Sequence, residues 1–258
     1  MMSNLKNETL FVVPNNDGEA VEIQKLLKDN GWKYLGTGQQ WGASWEGLET
    51  EIKQEINSGK YKNIYGVELQ GSIFNKSEKL GLNQHCIDID HHKYENDDRT
   101  NKLSSLEQVA KIINVELTEY QKAVSYNDIH GIKGLKRKYK EYVDAVAIQD
   151  MLAQGITEEQ IQIAKESVKE AERVEKLVIV RCKHSKTYPI KANINYNNII
   201  IISEDGEINF EGDGQICLAL QKEFEGWLGG NLPEYGFWGG YVDKEKVLNF
   251  VKKEVKRS

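Results

Sequence analysis

The chain has 258 residues, enough for one large domain or two smaller ones with substantial cores. With 29% charged residues, three prolines and no long polar tract, its composition excludes a disordered or collagen-like chain. A formal net charge of −6 removes the positive field that non-specific duplex binding needs, so a long duplex nucleic acid is not expected as partner.

A small phosphorylated molecule or a short oligonucleotide stays open, because one local site can be positive on an acidic protein. The stretch before the first apolar run is polar and has no signal region. No run approaches the roughly 18 to 20 apolar residues of a membrane span. Cys86, Cys182 and Cys217 are too scattered for paired metal-binding spacing, and free buried thiols in a reducing, cytoplasmic setting are expected.

In chain order, residues 10–14 form a buried strand that runs into the turn Asn15-Asn16-Asp17-Gly18, and residues 20–30 form a helix with Val21, Ile23, Leu26 and Leu27 at helical spacing. Residues 48–56 continue as helix, while residues 64–69 and 86–89 are strands. Strands alternating with helices imply a parallel sheet, whose ligands gather beyond the carboxyl ends of the strands. Asp17, Glu68 and Asp90-His91-His92 all fall at such ends.

Ser104 to Glu107 reads as a capped helix start, and helical patterns follow over residues 120–126, 133–151 and 157–175. The basic run Lys133, Lys136, Arg137, Lys138 and Lys140 could face a phosphate-rich ligand, although such a run is more often the solvated face of a helix. The last pattern has few large apolar residues and suits a connector between domains. Strands are then expected over residues 177–182, 198–203 and 207–210, with Glu204-Asp205-Gly206 as a hairpin turn. A helix over residues 215–225, a glycine-rich loop or loop-strand over 227–240 and a helix over 244–255 complete the chain. The expected organisation is an α/β, parallel-sheet domain (residues 1–155), a helical connector (156–176) and a smaller α+β domain (177–258).

The segment Ile87-Asp88-Ile89-Asp90-His91-His92 packs a carboxylate and two imidazoles onto one strand end. It resembles the signature triplet of the DHH phosphoesterase superfamily, with Asp128 in Asn127-Asp128-Ile129-His130-Gly131 at the place of the fourth family motif. In the first motif the leading His falls on Val13 and Asp17 is kept, while Asn15 or Glu19 stands in for a further acid. Glu68 takes the place of the second-motif Asp. The resemblance implies one or two Mn2+ (or Mg2+) ions held by Asp17, Glu68, Asp90, His91 and Asp128, with Asp90 and His92 catalytic. His92 would sit beside the metals as a phosphate contact or general acid.

Trp227 to Gly240 resembles the Gly-Gly-Gly-His run of the DHH-associated C-terminal domain, with Asn231 at the third Gly and Leu232 at the His. Gly229, Gly230, Asn231 and Trp238 are therefore expected to bind substrate, the glycines by close backbone approach and the aromatics by stacking. The implied activity is hydrolysis of a phosphodiester or phosphoanhydride bond in a small nucleotide, short oligonucleotide or pyrophosphate-like molecule. The alternative is a non-catalytic nucleotide- or metabolite-binding protein on a degenerate DHH scaffold. The oligomeric state is left open.

Overall fold

Thr9–Pro14 (β1) is buried along its whole length, as befits an apolar strand covered on both faces. The computed structural model, which describes residues 2–40, 42–71, 85–94 and 97–257, sets β1 in a four-stranded parallel sheet. The other strands are Tyr34–Thr37 (β2), Asn63–Val67 (β3) and His85–Ile89 (β4), in the order β2-β1-β3-β4. Phe11 lies opposite Tyr34 on one side and Tyr65 on the other, while Val67 lies opposite Ile89. After β2 the chain returns on the far side of β1, so the boundary between β1 and β3 is a topological switch point. Doubly wound sheets open a crevice there, beyond the carboxyl ends.

Around this sheet lie Met2–Asn7 (α1), Gly18–Asp29 (α2), Thr50–Ile56 (α3), Ser105–Ile113 (α4), Glu119–Lys138 (α5) and Val143–Ala153 (α6). Lys93–Tyr94 (β5) and Asp97–Asp98 (β6) form a small antiparallel pair. Ile52 and Ile56 of α3 pack with Trp45, Leu48 and Tyr61 against Leu10, Val12 and Ile64. Helix α2 packs on β1 and against α4, α5 and α6. The expected cap at Ser104 forms a full capping box with Glu107, and Thr118 makes another with Gln121 at the start of α5. Helix α5 breaks at Gly131, three residues beyond Asp128.

Met1–Gly155 and Ile156–Ser258 are two compact units. The second is built on a six-stranded sheet in the order β11-β12-β10-β9-β8-β7, made of Glu172–Val174 (β7), Leu177–Cys182 (β8), Asn198–Ser203 (β9), Ile208–Asp213 (β10), Trp227–Asn231 (β11) and Tyr235–Gly240 (β12). Only β8 and β9 pair in parallel. One face packs under Gly214–Glu223 (α9) and Lys244–Arg257 (α10), with Phe210, Trp238 and Val251 at its centre. Glu158–Lys169 (α7) and Tyr188–Ala192 (α8) cover Val178, Val180, Ile199 and Ile201 on the other face.

Two segments differ from the sequence expectation. The helix expected over residues 157–175 ends at Lys169, and β7 turns back through Glu175 (φ 55°) to pair with β8. Far from standing between units as a connector, α7 buries Ile161 and Ala164 within the second. Residues 227–240 form a regular hairpin, because β12 pairs on both sides, with β10 and β11. The three cysteines are free and buried. Among the described residues, no helix is long and apolar enough to cross a membrane.

Candidate metal centre

Three adjacent strands deliver acids or imidazoles past their carboxyl ends. Beyond β1 the chain turns through buried Asn16 and Asp17 into α2, whose first turn carries Glu19. Beyond β3, Glu68 takes a left-handed backbone (φ 49°) and bonds its amide to the carbonyl of Ile89, which ties it to the end of β4. A non-glycine residue in that conformation stores strain that the surrounding structure must hold, a cost typical of functional sites. Ser105 donates to Glu68 Oε1 at 2.9 Å and Asn16 to Oε2 at 3.4 Å. Beyond β4 come Asp90, His91 and His92, and α5 brings Asp128 to the same place.

His91 Nε2 lies 2.6 Å from Asp128 Oδ2 and 3.6 Å from Glu68 Oε1. Donor atoms of Glu19, Glu68, His91 and Asp128 all fall within 4.8 Å of one another, and a second group, Glu68, His91 and His92, shares two of these members. Asp17 Oδ2, Glu19 Oε2, His91 Nε2 and Asp128 Oδ2 are buried without an aligned hydrogen-bond partner. Buried polar atoms are almost always bonded, so Glu19 Oε2 within the four-residue group and Asp17 Oδ2 outside it leave acceptor capacity that a cation would meet, while His91 Nε2 and Asp128 Oδ2 face each other at 2.6 Å. Oxygen donors with one or two imidazoles suit a divalent ion such as Mn2+ or Mg2+. These residues can hold a metal.

Asp17 reaches Ala20 N with Oδ1 (2.8 Å), capping α2, and lies outside both four-residue and three-residue groups. Asp90 is turned toward its own strand end. Its Oδ1 accepts from the amides of His91 (2.8 Å) and His92 (3.0 Å) and from His92 Nδ1 (2.9 Å), while Oδ2 faces Arg99 at 3.5 Å. Glu19, which stood in the sequence only as a substitute in a damaged motif, contributes to the larger group. The sign that could have found it is its spacing of two from Asp17 across Gly18, at the turn from strand to helix. Val13, at the place of the expected leading His, is buried in β1 and supplies no donor. The side chain of His85 lies outside the described residues.

In the second unit, Gly229, Gly230 and Asn231 belong to β11. Gly230 has φ 106°, and a β-carbon there would come within 2.6 Å of Gly236 Cα, so the hairpin itself demands glycine at this position. Trp238, expected to face substrate, is fully buried in the core instead. Phe237, its neighbour, carries the exposed ring.

Burial raises Asp17 well above the usual carboxylate range, and Glu68 and Asp128 raise it further. Burial, then Asp128 and Glu68, do the same to Glu19. Burial would lower His91, but Asp128 and Glu68 outweigh it and push the imidazole up to about 10. A carboxyl whose folded pKa exceeds its unfolded value of about 4 stabilises the fold below that value and loses the contribution as pH rises through the folded one. Metal-free protein should therefore lose stability from this cluster as pH climbs from acid toward neutrality. An ion replaces those protons, so the gain in Tm on adding manganese should grow between about pH 5 and about pH 8. Calorimetry in chelator and in manganese checks this, and a gain that shrinks with pH would remove the cluster as the binding place.

No family model and no curated protein matches the chain. Among solved structures it is similar to exonuclease RecJ bound to manganese, at 11% identity over 97% of this chain and 90% of that one, with a TM-score of 0.45. It is also similar to an uncharacterized protein from Helicobacter pylori G27, at 12% identity, 97% and 99% coverage and a TM-score of 0.35. CDC45 from Entamoeba histolytica matches at 9% identity, 98% and 97% coverage and a TM-score of 0.34. At such TM-scores these likenesses assign no activity, and the chemistry rests on the side chains.

Proposed function

We propose that the chain is a metal-dependent phosphoesterase that hydrolyses a phosphodiester or phosphoanhydride bond in a small nucleotide, short oligonucleotide or pyrophosphate-like substrate. The observation that carries this reading is the Glu19, Glu68, His91 and Asp128 cluster, in which Glu19 Oε2 is buried without a hydrogen-bond partner, at the switch point of a parallel sheet. Glu19, Glu68, His91 and Asp128 would hold the ion, with Asp17 close by. When bound there, Mn2+ or Mg2+ would neutralise phosphoryl charge and make water a better nucleophile.

The remaining work falls to the triplet. Asp90, acting as acceptor, places the proton of His92 on Nδ1 and fixes the ring. Arg99 holds this end of the sheet together through the carbonyls of Leu69 (2.9 Å) and Gly71 (3.0 Å) and the carboxylates of Asp88 and Asp90 (3.5 Å each). His92, about one-third exposed, is placed to contact a phosphate or to donate a proton to the leaving oxygen. Its attachment to Asp90 raises its affinity for that proton.

The test is release of p-nitrophenol from bis(p-nitrophenyl) phosphate, and cleavage of a linear dinucleotide, in manganese and in chelator. Turnover that needs the metal and falls about 100-fold or more in Glu68→Gln supports the enzyme reading. The alternative, a nucleotide-binding protein without turnover, draws on the buried Val13 where a donor would otherwise stand. Tight nucleotide binding with no hydrolysis of either substrate would favour it.

A further inference from the structure

Helices α7 and α8 cover only part of one face of the second sheet. Farther along that face, Glu211 of β10 lies opposite Phe237 of β12, which lies opposite Gly229 of β11. One step along, Asn209 is opposite Gly239, and Gly239 is opposite Trp227. Pleating puts all of these side chains on the same side. They border a cavity of about 270 Å3 floored by buried Ile199 and Ile201 and closed at one end by Lys191 of α8.

The aromatic walls are unusual. Trp227 and Phe237 remain 41% and 45% exposed, although large rings ordinarily bury more of themselves. Each ring lies across a glycine of the opposite strand. A β-carbon at Gly229 would stand 2.5 Å from the Phe237 ring, and one at Gly239 would run into the Trp227 indole. These glycines thus make room for rings lying along a flat sheet, which differs from a nest of free amides around an anion.

The polar end is neutral and already ordered. Glu211 accepts from Lys191 Nζ (2.6 Å), from the Tyr196 hydroxyl (2.6 Å) and from the Tyr235 hydroxyl, so its charge is matched. Asn209 donates its amide to Glu207 at 2.8 Å, and its carbonyl oxygen is the acceptor that this bond does not use. The lysine ammonium has three N–H groups and one carboxylate partner here.

We propose that this cavity binds one planar heteroaromatic ring of a small molecule, with the size and hydrogen-bonding edge of a nucleobase. Its volume of about 270 Å3 lies just below the roughly 300 to 1,000 Å3 range of ligand pockets, which fits a single ring system better than a peptide or a protein surface. Exposed aromatic faces stack on such rings without regard to sequence, and the acceptor and donors at the polar end give the ring's edge its partners. A matched ion pair offers no anchor for a phosphate. The choice of a nucleobase rests on the nucleotide reading above, whereas the cavity stands apart from the metal cluster in the chain.

The experiment titrates metal-free, full-length protein with adenosine and with cytidine, which carry no phosphate, and follows tryptophan fluorescence and amide shifts of Asn209 and Phe237. Saturable binding is expected for at least one of them, weakened about tenfold in Trp227→Ala and in Phe237→Ala. Thermal denaturation checks that each variant is folded, and Phe237→Leu serves as a milder second test. Manganese affinity should be the same in all three variants. No response at millimolar nucleoside, undiminished affinity in folded variants, or competition by ribose 5-phosphate would overturn the proposal. So would a concentration-dependent dimer that the variants abolish, since the face would then be an interface. Adenosine binding in a protein that fails to bind manganese would support the cavity and sink the phosphoesterase reading alone.

Discussion

His91→Ala and Asp128→Ala should each lower manganese affinity by more than about 100-fold, beyond what loss of a group that merely supports a ligand does. The two side chains meet at 2.6 Å with unaligned, buried donor atoms, and removing either takes one donor from the larger group. His92→Ala should act differently. Its Nδ1 is committed to Asp90 and its ring is partly open, so kcat should fall about 100-fold while metal affinity drops far less. Isothermal titration and steady-state kinetics on the three variants separate these outcomes. Equal loss of metal from His91→Ala and His92→Ala would instead make His92 a ligand, with Glu68 and His91, in the smaller group.

Trp238→Ala should destabilise the second unit by about 3 to 5 kcal/mol, the cost of emptying a large aromatic site in a packed core. The ring is among the largest fully buried side chains and sits with Phe210, Leu220 and Val251, with Phe224 against it at 6.2 Å between centroids. Little of that loss can relax, because backbone strands and two helices enclose the site. Trp227→Ala, by contrast, removes a half-exposed ring and should change stability by about 0.5 kcal/mol or less. Urea unfolding followed by circular dichroism measures both. A Trp238→Ala protein as stable as the parent but deficient in ligand binding would return that ring to the substrate.

Much of the first unit was legible before any coordinates. The apolar run at residues 10–14, the helical spacing of Ile23, Leu26 and Leu27, and the capping pair Ser104 and Glu107 are local signals, and each element formed within a few residues of its expected place. Short β2 and α8 escaped notice, since four or five residues do not establish a period. The helix expected through residue 175 overran because Glu172–Val174 has no strong local preference, and pairing with β8 decided its state. In the site, adjacency marked Asp90, His91 and His92 as a group. It gave no means of telling that Asp90 would turn to its own backbone amides while His91 turned to Asp128.

By itself, then, the sequence determined that acids and imidazoles end several buried strands, that helices separate those strands, and that four aromatic rings and five glycines share the segment Trp227 to Gly240. Such facts follow from near neighbours along the chain, where periodicity and turn chemistry act. Only the tertiary structure decided that β3 pairs with β1 on the side away from β2, and this places Glu68 beside Asn16, 52 positions earlier, and His91, 23 positions later. Packing of α2 and α5 then brought Glu19 and Asp128 to the same point. It was likewise the strand register, with α9 and α10 covering one face, that sent Trp238 into the core and left Phe237 in solvent. Successive residues of a strand point to opposite faces, and which face is covered depends on elements far away in the chain.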